Sequence, residues 1–423
     1  VRRWRGERGP TQAAGEAVRR STQTASGPGA RARRISPMDW ITFGLFVAGV
    51  LAVATRLLPT TQAMATLGRV LPMLVFLGAV IVLAELAARA EFFDVVATRV
   101  TAFARGRNGA LFALFLGVAA VTTAFLNLDT TAVLLTPVVL ATAHRAGLPP
   151  LPLAMTTVWL ANTASLLLPV SNLTNLLAAD RIGLRPLAFA AQMALPQAAA
   201  VVAVGVCLWV FYWRHLPPRY EIPPPHRPRD RRLYWMAAGS VATFIAGILA
   251  GASVAIVSVA TAAVLLGAFL VWGRSELRWK LLPWRLLVFV TGLFLVVETV
   301  RHHGLDSVMA MLIGIDPGPE GIVRAAAVGA GLANVLNNLP SYVAGEAAVP
   351  VANHEQLIGL LIGTNVGPLV VPWASLATLL WAQRCRAAGL RIDWRRYVLT
   401  SLVAVLLTLT ASVGALVLVV VTG

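Results

Sequence analysis

Four carboxylates lie inside or at the ends of long apolar stretches of this 423-residue chain: Glu85, Asp129, Glu298 and Glu346. A charge at membrane depth is costly, so such a residue is a functional candidate by default. Asp129 is the strongest. It falls in a polar interruption, Asn127-Leu128-Asp129-Thr130-Thr131, near the middle of the apolar stretch 108–143. Low-dielectric surroundings favour the neutral form of a carboxyl, so a group placed here can take a proton on one side of a barrier and release it on the other. It can equally cap the helix that starts at Thr130-Thr131, and the two roles are compatible. Glu346 follows Gly345 in a second broken stretch, 322–350, where it is either a second proton-coupling site or a charge in an outer vestibule. For Glu85 and Glu298 the expectation is snorkelling or pairing with Arg89 and Arg301.

Uncharged polar groups gather at four interruptions. The hairpin-like stretches break at Asn127, Thr130 and Thr131, and at Asn337 and Asn338 ahead of Leu339-Pro340-Ser341. Two further apolar runs break at Pro169-Val170-Ser171-Asn172-Leu173-Thr174-Asn175 and at Gly363-Thr364-Asn365-Val366-Gly367-Pro368. Ser171, Asn172, Thr364 and Asn365 supply the hydroxyls and amides there, and together with the first set they can replace water around a small solute. No Arg or Lys lies at any of the four breaks. A dianion would rest on helix N-termini, amides and bound cations alone, so a neutral substrate suits the site better. Asn, Ser and Thr often serve only as helix–helix hydrogen bonds; four breaks at matched places argue for more.

The elements that must position these residues are membrane helices. Hydrophobic residues make up 58% of the chain and charged residues 13%, against about 25% charged in soluble domains. That excludes a soluble enzyme, a disordered chain and a fibrous repeat. Strand-length alternation is missing, which excludes an outer-membrane barrel. The fold class expected is an all-α polytopic membrane protein with nine spans, near 38–58, 70–88, 153–178, 187–213, 233–250, 252–272, 282–300, 356–381 and 397–421. Stretches 108–143 and 322–350 are read as two re-entrant hairpins, and 153–178 and 356–381 as two interrupted transmembrane helices.

Charge supports this arrangement. Residues 1–36 are read as a disordered basic cytoplasmic tail able to touch anionic lipid, without the pattern of a signal peptide. With that tail inside and each hairpin returning to its own side, 29 of the 35 basic residues fall in inner segments. Making either hairpin a full crossing would move an Arg-rich loop, 214–232 or 382–396, outside, against the positive-inside rule. The net charge of +17 thus reflects loop topology, and nucleic acid is not an expected partner, since interleaved stacking aromatics are missing.

The halves echo each other: a helix ending near Glu85 or Glu298, a short amphipathic piece, a hairpin, then two spans. The first repeat is 37–213, with a cytoplasmic-side hairpin 108–143. A cytoplasmic linker follows at 214–232, then the second repeat 233–423, with an outer-side hairpin 322–350. Opposite orientation with broken helices is the pattern of inverted-repeat secondary transporters, whose site lies at mid-membrane. Phosphate-binding loops and zinc-protease motifs are missing, and neither Cys207, Cys385 nor the six histidines form a ligand set, so no metal, cofactor or ATP hydrolysis is expected.

Phe125–Pro137, Asn162–Asn175, Asn337–Pro340 and Gly363–Pro368 with Ser375–Trp381 resemble the motifs of the arsenite/antimonite efflux permeases (ArsB) of the ion transporter superfamily. The resemblance spans roughly 38–421. It implies a scaffold-plus-transport-domain fold and export of arsenite or antimonite, as the neutral trivalent hydroxide, against protons across the cytoplasmic membrane. It also allows for a separate arsenite-stimulated ATPase subunit, which some relatives recruit. Leu128 and Asn365 stand where many or some relatives carry a polar residue or Asp, and no cysteine sits at the breaks to bind arsenic. A sodium-coupled dicarboxylate or anion carrier, a sodium/proton antiporter and an intramembrane enzyme remain alternatives.

Overall fold

The computed structural model describes residues 37–277, 281–314 and 316–422; the expected basic tail, 1–36, lies outside them. Among the described residues the structure is all helical, with one isolated antiparallel bridge, Arg107 to Arg219. The helices are α1 Pro37–Ala54, α2 Thr60–Arg89, α3 Phe92–Phe103, α4 Asn108–Leu126, α5 Leu128–Thr130, α6 Thr136–Arg145, α7 Pro150–Thr163, α8 Leu173–Ile182 and α9 Pro186–Leu208. They continue as α10 Arg231–Leu249, α11 Val254–Trp272, α12 Trp284–Val300, α13 Asp306–Ile313, α14 Pro319–Leu336, α15 Asn338–Glu346, α16 His354–Val366, α17 Leu376–Ala387 and α18 Trp394–Thr422. Among the described residues six helical segments are long and apolar enough to cross a membrane: α2, α4, α9 with its continuation to Trp213, α10, α11 and α18. The chain is a multi-pass membrane protein. Five of the nine expected spans are among these, and α4 belongs to the stretch expected as a hairpin; of the other four, the apolar part of α1 (Thr42–Ala54) and α12 (17 residues) are shorter, and the runs at 153–178 and 356–381 are each split in two.

The chain reverses at Asn127. Eight residues of straight helix would separate Thr123 from Thr131 by about 12 Å, yet Thr123 Oγ1 donates to Thr131 Oγ1 at 3.2 Å. Both ends of this hairpin meet the same neighbours. Asn108 donates from its backbone to Pro218 O and from Nδ2 to Trp213 O, while α6 packs on α3. The segment after Trp213 is strapped to α3 as well, by Tyr220 OH to Thr101 O, by His226 N to Thr98 Oγ1, and by His226 Nε2 to Glu91 Oε2 at 2.7 Å. Burial pushes the Asp94 carboxyl on α3 above its ordinary pKa, and neighbouring His226 and Arg145 oppose that shift. One arm, α4, has 19 residues, about 28 Å. It is therefore longer than a half-membrane arm.

The second reversal is at Asn337. Gly329 on α14 and Gly345 on α15 lie eight residues either side of it and both abut Leu360 of α16. Both tips adopt the same unusual backbone, φ 79° and ψ 153° at Asn127 and φ 111° and ψ 157° at Asn337, a region sparsely occupied by residues with a Cβ.

The most enclosed elements are α7 and α16. Every residue from Pro152 to Thr163 and from Gln356 to Val366 is buried. Three fully buried tryptophans close on α7 and its neighbours: Trp213 Nε1 donates to Thr156 Oγ1, Trp381 Nε1 to Ala154 O, and Trp159 Nε1 to Ser401 Oγ. Against α16 lies α14, with Gly359 and Gly363 of α16 and Gly367 just after it meeting Ile322, Ala326 and Ala330 of α14. Small residues at four-residue spacing let helices approach closely where no hydrophobic effect drives them together.

Candidate functional site

Both interrupted helices unwind just where they leave these enclosed segments. The first break runs from Ala164 to Asn172 around a short turn Pro169–Ser171. Backbone released from a helix needs new partners when water is absent. Gln197 of α9 accepts from Leu166 N (2.9 Å) and donates to Thr163 O (3.2 Å). Asn175 of α8 donates to Ser165 O (2.7 Å), Leu168 O (3.0 Å) and Ser171 Oγ (3.2 Å). The second break starts at Gly367, so Gly363–Val366 stays helical, contrary to the expected break at Gly363–Pro368. There α14 packs on Gly363, Thr364 Oγ1 bonds back within the last turn, and Asn365 is anchored to the residues around the start of α8. Asn334 serves this second break. It donates from Nδ2 to Gly367 O, accepts from Val371 N at Oδ1, and its carbonyl accepts from Trp373 Nε1. Asn337 Nδ2 donates to Trp373 O at 3.0 Å.

The hairpin tips and the breaks converge on a cavity of about 40 Å³. Its lining includes the first residue of four helices: Leu128 of α5, Leu173 of α8, Asn338 of α15 and Leu376 of α17. Helix N-termini carry partial positive charge. The polar side chains of the lining are Asn127, Asp129, Asn172, Asn337 and Asn338; the apolar wall comes from Leu77 of α2 and Leu286, Phe289 and Val290 of α12. Asp129 is the one ionisable side chain in that lining. Its backbone N–H donates to Asn127 Oδ1 at 2.7 Å, and its Oδ1 is buried without a hydrogen-bond partner.

The other sequence-derived candidates lie behind this lining or away from it. Thr131 Oγ1 donates to Asn127 O (3.0 Å), and Thr130 Oγ1 is buried without a partner. Ser171 Oγ donates to Ser165 O and Leu168 O. Thr364 Oγ1 bonds back to Leu360 O and Leu361 O. Asn365 joins the two interrupted helices: its Oδ1 accepts from Asn172 Nδ2 (3.0 Å) and Thr174 Oγ1 (2.7 Å), and its Nδ2 donates to Asn175 Oδ1 (2.7 Å). Glu346 lies at the far end of α15, paired with Arg69 of α2 at 3.1 Å. Glu85 pairs with Arg89 and Glu298 with Arg301. Sequence reasoning passed over Gln197, Asn334 and the bonding role of Asn175. The available signal was a carboxamide within an apolar helix, within a turn or two of a hairpin tip or break, or facing one. Among the described residues no group of three or more His, Cys, Asp or Glu is placed to hold a metal ion.

Broken helices whose ends meet around a small polar cavity are the pattern of secondary transporters. A family model described as a citrate transporter (CitMHS) matches residues 37–378. An arsenical pump membrane protein of Escherichia coli is 30% identical over 372 residues, covering 80% of this chain and 84% of that protein. A putative arsenical pump membrane protein of Bacillus subtilis is 23% identical over 357 residues, covering 75% and 80%. The crystal structure of the Alcanivorax borkumensis YdaH transporter, described as having an unusual topology, shares the fold: its TM-score is 0.56 at 16% identity, over 91% of this chain and 98% of that one. The chain belongs to the family of the arsenical pump membrane proteins, within the ion transporter superfamily.

Proposed function

We propose that the protein exports arsenite or antimonite, as the neutral trivalent hydroxide, across the cytoplasmic membrane in exchange for protons. The cavity carries this reading: amides of Asn127, Asn172, Asn337 and Asn338 surround a single carboxylate, Asp129, with no Arg or Lys among the lining residues. Amides and peptide N–H groups can solvate the oxygens of a neutral hydroxide, and the carboxylate can accept from one of its O–H groups. A proton arriving from outside occupies that same acceptor and displaces the substrate. Proton and substrate then exclude each other at Asp129, and mutually exclusive occupancy of one site produces exchange. Thr130, Thr131, Ser171, Thr364 and Asn365 form the layer that holds the amides in place. The relatives named as arsenical pumps support the substrate. The positive-inside count supports a cytoplasmic N-terminus, and two units of like order, α2–α9 and α12–α18, support an inverted repeat.

The test is arsenite flux into inverted membrane vesicles with an imposed pH gradient, wild type against Asp129→Asn. The substitution is expected to cut gradient-driven flux at least tenfold while leaving the protein folded. Equal flux in both would remove the proton role, and no arsenite flux in either would remove the substrate. A second reading has its own support: the matching family model is described as a citrate transporter, and four helix N-termini favour an anion. That sodium-coupled anion carrier, or the related sodium/proton antiporter, predicts thermal stabilisation by sodium and by citrate or sodium alone, with none by arsenite.

A further inference from the structure

Three elements that line the cavity meet again on one side of it. Arg69 precedes Leu77 on α2 by eight residues, Asp180 follows Asn172 by eight and Glu346 follows Asn338 by eight, about 12 Å of helix in each case. At that distance Arg69 donates from Nη1 to Glu346 Oε1 (3.1 Å) and from Nε to Asp180 Oδ2 (3.3 Å). The Glu346 side chain is 4% exposed and that of Asp180 is 55% exposed, so the cluster runs from the protein interior to its surface. Arg181 donates to Val349 O, tying the end of α8 to the segment after α15. Those two ends are thus fastened together, and α2 meets both through Arg69. Arg181 and Arg301 also lie near Glu346, but Arg181 donates to Val349 O and Arg301 bonds Glu298 and Asp306, so Arg69 is the cation that hydrogen-bonds it.

We propose that Arg69, Glu346 and Asp180 form a charge-paired gate that closes the cavity toward this face, the outer face in the orientation proposed above. Opening requires α8 and α15 to move away from α2, and Arg69 is the latch between them. Glu346 Oε2 is already buried without a hydrogen-bond partner. Without Arg69 the closed state holds a buried carboxylate that no cation hydrogen-bonds, which disfavours it; the open state lets that group reach water. The inference rests on the alternating-access part of the proposed function and not on the substrate.

A cysteine at Leu339, which lines the cavity, reports the gate in a background with the two buried native cysteines, Cys207 and Cys385, replaced by Ala. The probe is a membrane-impermeant maleimide applied to right-side-out vesicles, so no substrate is needed. Arg69→Gln is expected to speed labelling about tenfold, the change in open population that about 1.4 kcal/mol produces. Arg69→Lys is expected to stay near the parent rate, and the exchange variant, Arg69→Glu with Glu346→Arg, to return toward it. If Arg69→Gln does not fold, Asp180→Asn, at an exposed carboxylate, reads the same gate with a smaller increase of about threefold. Parent-like labelling in whichever of these two variants folds overturns the gate, as does an exchange variant that labels as fast as Arg69→Gln.

Discussion

Asn365 illustrates what a single carboxamide does at a helix end that water does not reach. Its oxygen accepts from Asn172 and Thr174 and its nitrogen donates to Asn175. Asn172 lines the cavity and Asn175 carries the unwound backbone, so one residue on α16 positions the N-cap of α8 and a residue in its first turn. Asn365→Ala leaves buried polar atoms with fewer partners, at about 1–3 kcal/mol for each one left unsatisfied. A loss of about 3 kcal/mol is expected, seen as a fall of several degrees in the thermal midpoint by tryptophan fluorescence in detergent. Asn365→Asp keeps the oxygen that accepts both bonds but sets a second oxygen against Asn175 Oδ1, and a comparable loss is expected. An unchanged midpoint in both variants would remove the tie between the interrupted helices.

At the scale of the element, α14 packs tightly along α16, in a seam that runs on past the point where the second helix unwinds. A methyl group on Gly359 would lie 2.7 Å from Ile322 O and one on Gly367 2.5 Å from Ala330 Cα; at Gly363 it would be closer still to the Ala326 carbonyl oxygen. These contacts leave no room for a side chain, and backbone clashes cannot be relieved by rotamer changes. Gly363→Val is therefore expected to force α14 and α16 apart and to lose the monodisperse, folded protein on size exclusion. Gly117→Ala on α4 is the control, because a methyl group there would have nothing within 4 Å; stability should hold or rise by up to about 1 kcal/mol. If Gly363→Val purifies and melts like the control, the seam is not a tight one.

At the scale of the molecule, the helices around the cavity are held on one side by the strap between α3 and the segment after Trp213, with its row of arginines. The proposed orientation puts that strap in the cytoplasm and the turn between α8 and α9 outside. Arg227 and Arg185 are both exposed, so single cysteines there, in the cysteine-free background, report the two sides. Arg227→Cys should react with an impermeant maleimide in inverted vesicles alone, and Arg185→Cys in right-side-out vesicles alone. Labelling of both from the same side would break the topology, and with it the opposed senses of the two repeats.

Much of this protein is legible in its sequence, for physical reasons. Apolar runs separated by Arg-rich loops mark the helices and give the expected sidedness, because unpaired backbone and charge are both costly in a bilayer. Polar interruptions within such runs mark Asn127, Asp129, Asn172, Asn337 and Asn338, all of which line one cavity. Partner choice was not legible. Asn365 reads as a ligand from its neighbours in the chain, yet its hydrogen bonds go to α8, some 190 residues away. Glu346 reads as an isolated carboxylate, yet Arg69 reaches it across 277 positions. Gly363 reads as a helix breaker, yet it is a packing face. Spacing along a chain reports which groups share an element; only the tertiary structure decides which groups from different elements come within hydrogen-bonding distance, because that depends on how the helices cross.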